Sequence, residues 1–267
     1  MARLDAQRPG LALTVLAIAA ASRAEEAGYL ALHDISALAA DSGIDYRIVG
    51  GQMVGLHVRA AGADEPVFRQ TLDTDLGVEP KVAADPALVE GLTRLGYDRP
   101  DTANRFIRES LDGHMLVIDL LAPSYVGLRM RSNRRHGDMT LDEIPGLSLA
   151  LARSGEPLDL SVQLLDSRSI AFTTIVPDVV SALCVKTLGW AGRLAPKDAL
   201  DVWRLLRAFR ARLPQPPPWA ATGVQGNTVK VLRADFLPVN GGGVRAATPE
   251  RVEQAEIRAL TLHALSG

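Results

Sequence analysis

In the stretch RQTLDTDLG (69–77), Asp73 and Asp75 stand one residue apart at the end of a segment with strand character. Residues two apart on a strand share a face, so both carboxylates point one way and Thr74 the other. Like charges at that spacing repel, and they stay ionised cheaply only with a cation between them. Oxygen ligands so placed suit Mg²⁺, or Mn²⁺, held by one or two carboxylates together with substrate phosphates. Taken alone, an Asp-x-Asp pair at a strand end is more often a solvated surface pattern without chemistry.

Two further features alter that weighing. Gly50 and Gly51 close the apolar stretch IDYRIVGG directly ahead of the helical pattern QMVGLHVRAA. Free backbone N–H groups and the helix dipole at such a turn attract an anion such as phosphate, and glycine lets it come close. Asp119 lies inside the apolar run LVIDLL, where an ionised carboxylate is costly without a counter-charge. A strand-end position or a structural salt bridge would also account for it. Two carboxylates on one strand, a third on another and an anion-binding turn together describe metal-dependent phosphoryl or nucleotidyl transfer.

The elements that must position these residues follow from periodicity and punctuation. Helical spacing runs through LALTVLAIAAA and SRAEEAGYLALHDISALAA, as in a helical hairpin or long helix pair. Arg3 and Arg8 give the first of these a signal-peptide outline, which Asp5 spoils, and the run is too short to span a bilayer. IDYRIVGG is expected as a strand, QMVGLHVRAA as a helix, VFRQTLDTDLGVEP as a strand, and DPALVEGLTRLGY as a helix with Pro86 in its first turn. NRFIRES and HMLVIDLLAP come next as strands joined at Asp112-Gly113, a favoured hairpin turn. Residues 124–156, including the basic RMRSNRRHGD, are expected as loop.

LDLSVQLL and SIAFTTIV make a second strand pair, after which VVSALCVKTLGWAG and PKDALDVWRLLRAFRARL are helical and PQPPPW ends the second helix. A terminal helix is expected near Thr248-Pro249-Glu250, with threonine as cap and proline at the first position. The fold class is α+β, a small mixed sheet flanked by helices. Its expected parts are an N-terminal helical segment (1–43), a core (44–176), a helical segment that completes a cleft (177–213) and a C-terminal extension (214–267).

VGG at 49–51, the spaced R-x-T-x-D-x-D of Arg69, Thr71, Asp73 and Asp75, and then Asp119 resemble the polymerase-β-type nucleotidyltransferase superfamily. More narrowly, VKTLGWAGRLAPKDALDVWRLL looks like the Lys…Arg…Lys-Asp…Asp helix pair of the AbiEii/AbiGii toxin-like nucleotidyltransferases. These motifs span about residues 44 to 207 and leave both ends uncovered. The resemblance implies that Asp73 and Asp75 hold metal and a nucleoside triphosphate, and that Asp119 completes the metal site and helps activate an acceptor hydroxyl. It implies that Gly50, Gly51, Gln52, Lys186, Arg193 and Lys197 meet the phosphates, with Asp198 and Asp201 supporting the cleft. Arg69 and Thr71 share the face of the two aspartates, where Arg69 would buffer the carboxylates. For Lys197 and Asp201 an exposed helix with local ion pairs is an equal reading. One departure is Gln52, where such families commonly place serine or threonine after the two glycines; its amide can still donate to phosphate.

Composition sets the outer limits. A chain of 267 residues, 47% hydrophobic, can bury a sizeable core, and a net charge of −2 argues against a general nucleic-acid coat. The lone Cys184 can form neither an internal disulfide nor a cysteine metal cage, which fits a reducing, cytoplasmic compartment and a core position. His57 and His114 lack nearby Cys or His partners and are not metal ligands on this reading. The expected function is nucleotidyl transfer from a nucleoside triphosphate to RNA, protein or a small molecule, with no membrane partner. RMRSNRRHGD hints weakly at a phosphate backbone such as that of RNA, but a solvated arginine-rich loop is the commoner explanation of such a stretch. Toxin activity with a cognate antitoxin is implied by the narrower resemblance alone. The rival reading keeps the fold and the nucleotide but not the transfer, as a silent binding protein or partner-regulated scaffold.

Overall fold

The computed structural model describes residues 15–63, 71, 73–100, 104–110, 112–126, 130–136 and 139–267. The chain opens with β1 (Leu16–Ala19), α1 (Arg23–Ser42), β2 (Arg47–Val49) and α2 (Gly50–Ala60). Then come β3 (Asp73–Gly77), α3 (Pro80–Ala83), α4 (Pro86–Arg94), β4 (Arg105–Glu109) and β5 (Met115–Pro123). Strands β6 (Arg131–His136) and β7 (Met139–Ile144), helix α5 (Leu147–Ala152), and strands β8 (Glu156–Gln163) and β9 (Ser169–Val176) complete the strand-bearing part. The remainder is helical: α6 (Val179–Arg193), α7 (Pro196–Arg212), α8 (Gly223–Val231) running into a π-helical turn (Leu232–Phe236), α9 (Gly242–Ala247) and α10 (Arg251–Ala264). The fold is α+β, as the sequence indicates.

The larger sheet is mixed, ordered β2-β3-β5-β7-β6 with β4 also on β5. Strand β5 is its axis: β3 runs parallel along one edge, while the other edge is shared by antiparallel β4 over residues 115–119 and parallel β7 over residues 121–123. Asp119 therefore sits where one neighbour ends and the next begins. Helix α1 covers the face opposite the aspartates, so that Thr74, pointing away from them, donates its hydroxyl to Gly28 O at 3.3 Å. A second, three-stranded sheet, β1-β8-β9, adjoins it.

Local signals explain the helix ends. Ser22 accepts from Glu25 N at the start of α1, and Gly43 closes that helix in the left-handed conformation at φ 64°. Asp178 accepts from Val180 N and Ser181 N to start α6, and Pro196 opens α7. Between them Leu194 takes φ 53°, which turns the chain back and makes α6 and α7 an antiparallel pair. The terminal helix is capped at Glu250; Thr248, expected as the cap, instead accepts the Glu250 N–H in the turn ahead. The C-terminal extension docks on α6 and α7 through Trp190 Nε1 to Asp235 Oδ2 (2.9 Å) and Arg207 to Glu256 (2.7 Å), and is tied within itself by Trp219 Nε1 to Ala264 O (2.7 Å).

Two local expectations need correction. The apolar run near the N-terminus is not helical over Leu16–Ala19: it pairs parallel with β8, the sheet edge overriding a helical pattern too short to nucleate alone. The basic stretch and the segment C-terminal to it are not loop. Arg131–His136 and Met139–Ile144 form an antiparallel ribbon at the edge of the larger sheet, succeeded by α5. Strand β6 is polar and mostly exposed, so it carries no alternation for a sequence reading to detect. Among the described residues, no helix is long and apolar enough to cross a membrane.

His57 is fully buried in α2, where Arg212 Nη1 donates to its Nδ1 at 3.1 Å. Burial, helped by Arg212 and opposed by the Pro177 carbonyl and Asp178, pushes its pKa from 6.5 down to about 4. Between those values the unfolded chain takes up a proton that the folded one refuses, so acidification through that window should remove roughly 3 kcal/mol of stability. Urea midpoints measured from pH 7.5 down to pH 4 on the natural chain and on His57→Gln test this. The glutamine variant should lose the step, and an identical pH profile in both would assign the acid sensitivity elsewhere.

Candidate active site

Backbone register brings the three aspartates together. In the β3–β5 ladder Asp75 is the direct partner of Asp119, so the two carboxylates lie side by side on one face, with Asp73 one pleat further along β3. Val49, the last residue of β2, pairs with Asp75 from the other side and delivers the chain straight into α2. A Cβ built on Gly50, which has φ 70°, would lie 1.7 Å from Asp75 Oδ2. Only glycine can hold this turn, because it needs both the left-handed conformation and contact with a carboxylate. The amino end of α2 thus abuts Asp75.

These residues line an open cleft of about 410 Å³, floored by Gly50, Gly51, Thr71, Asp73, Asp75 and Asp119 and walled on the α6–α7 side by Lys186, Arg193, Lys197 and Asp198. Lys186 Nζ lies 2.8 Å from Asp201 Oδ2, a pair buried to 8% and 0% exposure. Arg193 clasps Asp198 with two N–H groups at 2.9 and 2.7 Å. The pairings therefore run between the helices, which explains why Asp198 and Asp201 recur at a helical interval. Lys197 is exposed at the cleft and has no ion pair among the described residues.

Electrostatics mark the aspartates as costly. Burial pushes Asp75 up to about 6; Lys186 and, last, Arg193 pull it down, while Asp119 and Asp73 push it further up. Asp73 is raised as well, by burial first and then by Asp119, against Arg105 and Lys197. A folded chain gains nothing in stability from three neighbouring carboxylates, and such sites are where function is usually found.

One of the expected site residues stands elsewhere. The side chain of Gln52 is turned away from the cleft: its Nε2 donates to Gly28 O at 2.8 Å, and it lines a small separate cavity with Glu25, Arg59 and Arg204. Any phosphate at the turn would meet backbone N–H groups, not this amide. Gln52→Ala should therefore leave nucleotide affinity within about twofold while costing about 1 kcal/mol of stability through the lost hydrogen bond. Calorimetry with nucleoside triphosphate and urea unfolding would separate the two effects. Arg69 lies outside the described residues.

Among the cleft residues that were not anticipated are Asn104, Arg105, Met130 and Asp142. Arg105 matters most. Its Nε donates to Asp119 Oδ1 at 2.8 Å and its Nη2 to Asp119 Oδ2 at 2.6 Å, while Nη2 also reaches Asp73 Oδ2 at 3.3 Å. These hydrogen bonds to Asp119 and the surrounding carboxylates hold the guanidinium pKa above its ordinary value. Asp142, opposite Leu121 in the β5–β7 ladder, adds a fourth carboxylate, which accepts the Asn133 N–H at 3.0 Å.

The donor set suits a hard divalent cation, being all carboxylate oxygen beside an amino-terminal helix end. As folded, however, no group of three or more His, Cys, Asp or Glu side chains among the described residues is arranged to hold a metal. Arg105 occupies both oxygens of Asp119 and one of Asp73, so the oxygens would have to be released before they converge on an ion. The site thus fits a metal in donor chemistry once that guanidinium moves aside. Cys184 has no part in it; the thiol is buried in α6 and pushed up to about 12 by burial. No family model matches this chain, and no curated protein matches it significantly, so the case for its chemistry rests on the residues of this cleft.

Proposed function

We propose that this protein is a metal-dependent nucleotidyltransferase, with a polymerase-β-type core, that moves a nucleoside monophosphate from a nucleoside triphosphate to an acceptor hydroxyl. The observation that carries the reading is the in-register pairing of Asp75 with Asp119, beside Asp73 and the glycine turn, at the floor of a cleft whose opposite wall is cationic. Acidic floor and basic wall are complementary to a triphosphate that carries its own divalent cation.

In this reading Asp73, Asp75 and Asp119 would hold Mg²⁺ or Mn²⁺, which when bound supplies Lewis-acid polarisation of the phosphates and charge neutralisation of the leaving pyrophosphate. The N–H groups at the start of α2 receive phosphate oxygens. Lys197, with no ion pair among the described residues, meets the outer phosphates, while Lys186 and Arg193, each tied to a carboxylate on α7, stand as fixed charges along the wall. Once released by Arg105, Asp119 would orient an acceptor hydroxyl and accept its proton.

The direct test is incubation of the protein with each α-labelled nucleoside triphosphate, Mg²⁺ and total RNA. Label transferred to RNA or to the protein itself supports the reading and names the nucleotide. Triphosphate binding without label transfer, across RNA, protein and small hydroxylated acceptors, would favour a silent nucleotide-binding protein of the same architecture.

A further inference from the structure

The fork that Arg105 places on Asp119 raises a question that the proposed function does not answer. Arg105 comes from β4, whose register sets it directly opposite Asp119 on β5. The pairing is bidentate and charge-assisted, the strongest form that a side-chain contact to a carboxylate takes. Yet the guanidinium is 41% exposed at the cleft, while Asp119 is 11% exposed. A buried carboxylate thus has its counter-charge on a side chain free to swing into the cleft. A divalent ion at this site needs oxygens that Arg105 already occupies, and two cations cannot use the same lone pairs.

We propose that Arg105 is a latch on the metal site: its guanidinium holds Asp119 and Asp73 until a divalent cation displaces it. This rests on the metal-dependent reading above. Leaving Asp119 without any partner would strand a nearly buried charge, so arginine and metal exchange places rather than leaving the carboxylate bare. A cleft kept shut this way binds free metal weakly. The displaced guanidinium, beside Asn104 on the cleft wall, then becomes available to a phosphate, and the polyanion that arrives with the ion offers it a new partner. By linkage, whatever holds Arg105 away from Asp119 tightens metal binding by the same factor.

The test is Mn²⁺ affinity, measured by the paramagnetic resonance of free Mn²⁺ without nucleotide, on the natural chain, Arg105→Gln, Arg105→Lys and Asp75→Asn. The latch predicts that Arg105→Gln binds roughly tenfold tighter, the equivalent of one lost charge-assisted fork. Arg105→Lys, which keeps the charge but not the fork, should also tighten binding severalfold. Asp75→Asn, which Arg105 does not touch, should abolish binding and so locate the ion. If only Arg105→Gln tightens, simple charge repulsion explains the effect and the latch is overturned. Equal affinity in all Arg105 variants likewise overturns it while leaving the metal site intact. An absence of Mn²⁺ binding in every form, with thermal unfolding showing them folded, removes the metal-dependent reading itself and the latch with it.

Discussion

Asp75→Asn is expected to reduce the proposed nucleotidyl transfer on the order of a thousandfold or more and, at the same time, to make the folded protein more stable. The two effects have one origin. Asp75 lies against the amino end of α2, paired in register with Asp119, and burial pushes its pKa from 3.8 to about 6 despite Lys186. Its ionised form is therefore less at home in the folded chain than in water. Between those two values the folded state binds a proton that the unfolded state does not, so stability falls as pH rises through the window and the deficit persists at neutral pH. A neutral amide escapes it. The expected gain is about 1–2 kcal/mol at pH 7.5, less than the full shift implies because an amide N–H needs an acceptor and Lys186 loses a neighbouring anion. As pH falls from 6 towards 3.8, protonation of Asp75 in the natural chain should close the gap. Urea unfolding of both proteins at pH 7.5 and pH 4, beside the labelled transfer assay, checks each half. A variant that is less stable yet fully active would remove Asp75 from the site.

Much of this site could be seen in the sequence because strand periodicity is short and unambiguous. The two-residue repeat put Asp73 and Asp75 on one face and Thr74 on the other, which is where the ladder and the Thr74 to Gly28 hydrogen bond place them. The glycines that open α2 could be anticipated as a strand-to-helix junction, although the strand stops at Val49 and the helix takes in both glycines. The partner of Asp119 could not. Its fork comes from across a hairpin whose apex, Asp112-Gly113, suggests a two-residue loop, but the ladder ends at Glu109 and Met115 with five residues between them. A register one residue away would have turned Arg105 to the other face. Loop length, which composition does not fix, thus decided whether the arginine guards the site or sits behind it.

Gln52 failed differently. Its position after the glycines marks it as a phosphate contact by analogy, whereas its longer side chain reaches the Gly28 carbonyl on α1, a tertiary contact that no local pattern encodes. The ion pairs of α6 and α7 fall between these cases. Their helical spacing could be seen, but which cation each aspartate serves depends on how the two helices pack, and that is set by the left-handed Leu194 between them.

That packing makes the buried pair the most vulnerable point of the fold. Asp201 is fully buried, with Lys186 Nζ at 2.8 Å and Arg204 Nη1 at 3.6 Å, and both cations are themselves almost entirely enclosed. Asp201→Asn removes the carboxylate that lies within ion-pair distance of both. Removing one member of such a buried set costs roughly 3–5 kcal/mol, since the Lys186 ammonium stays out of water without its carboxylate. For a chain of this size that lowers Tm by roughly 10 °C. Asp198→Asn should cost only about 1 kcal/mol, because Arg193, at 38% exposure, can turn to solvent once released. The comparison separates burial from mere pairing. Lys186→Met combined with Asp201→Asn should recover part of the loss, since it withdraws the stranded ammonium. Urea midpoints of the four proteins decide it: Asp201→Asn costing no more than Asp198→Asn would mean that water reaches Lys186. In that event the cationic wall of the cleft would be a hydrated surface rather than a fixed array of charges.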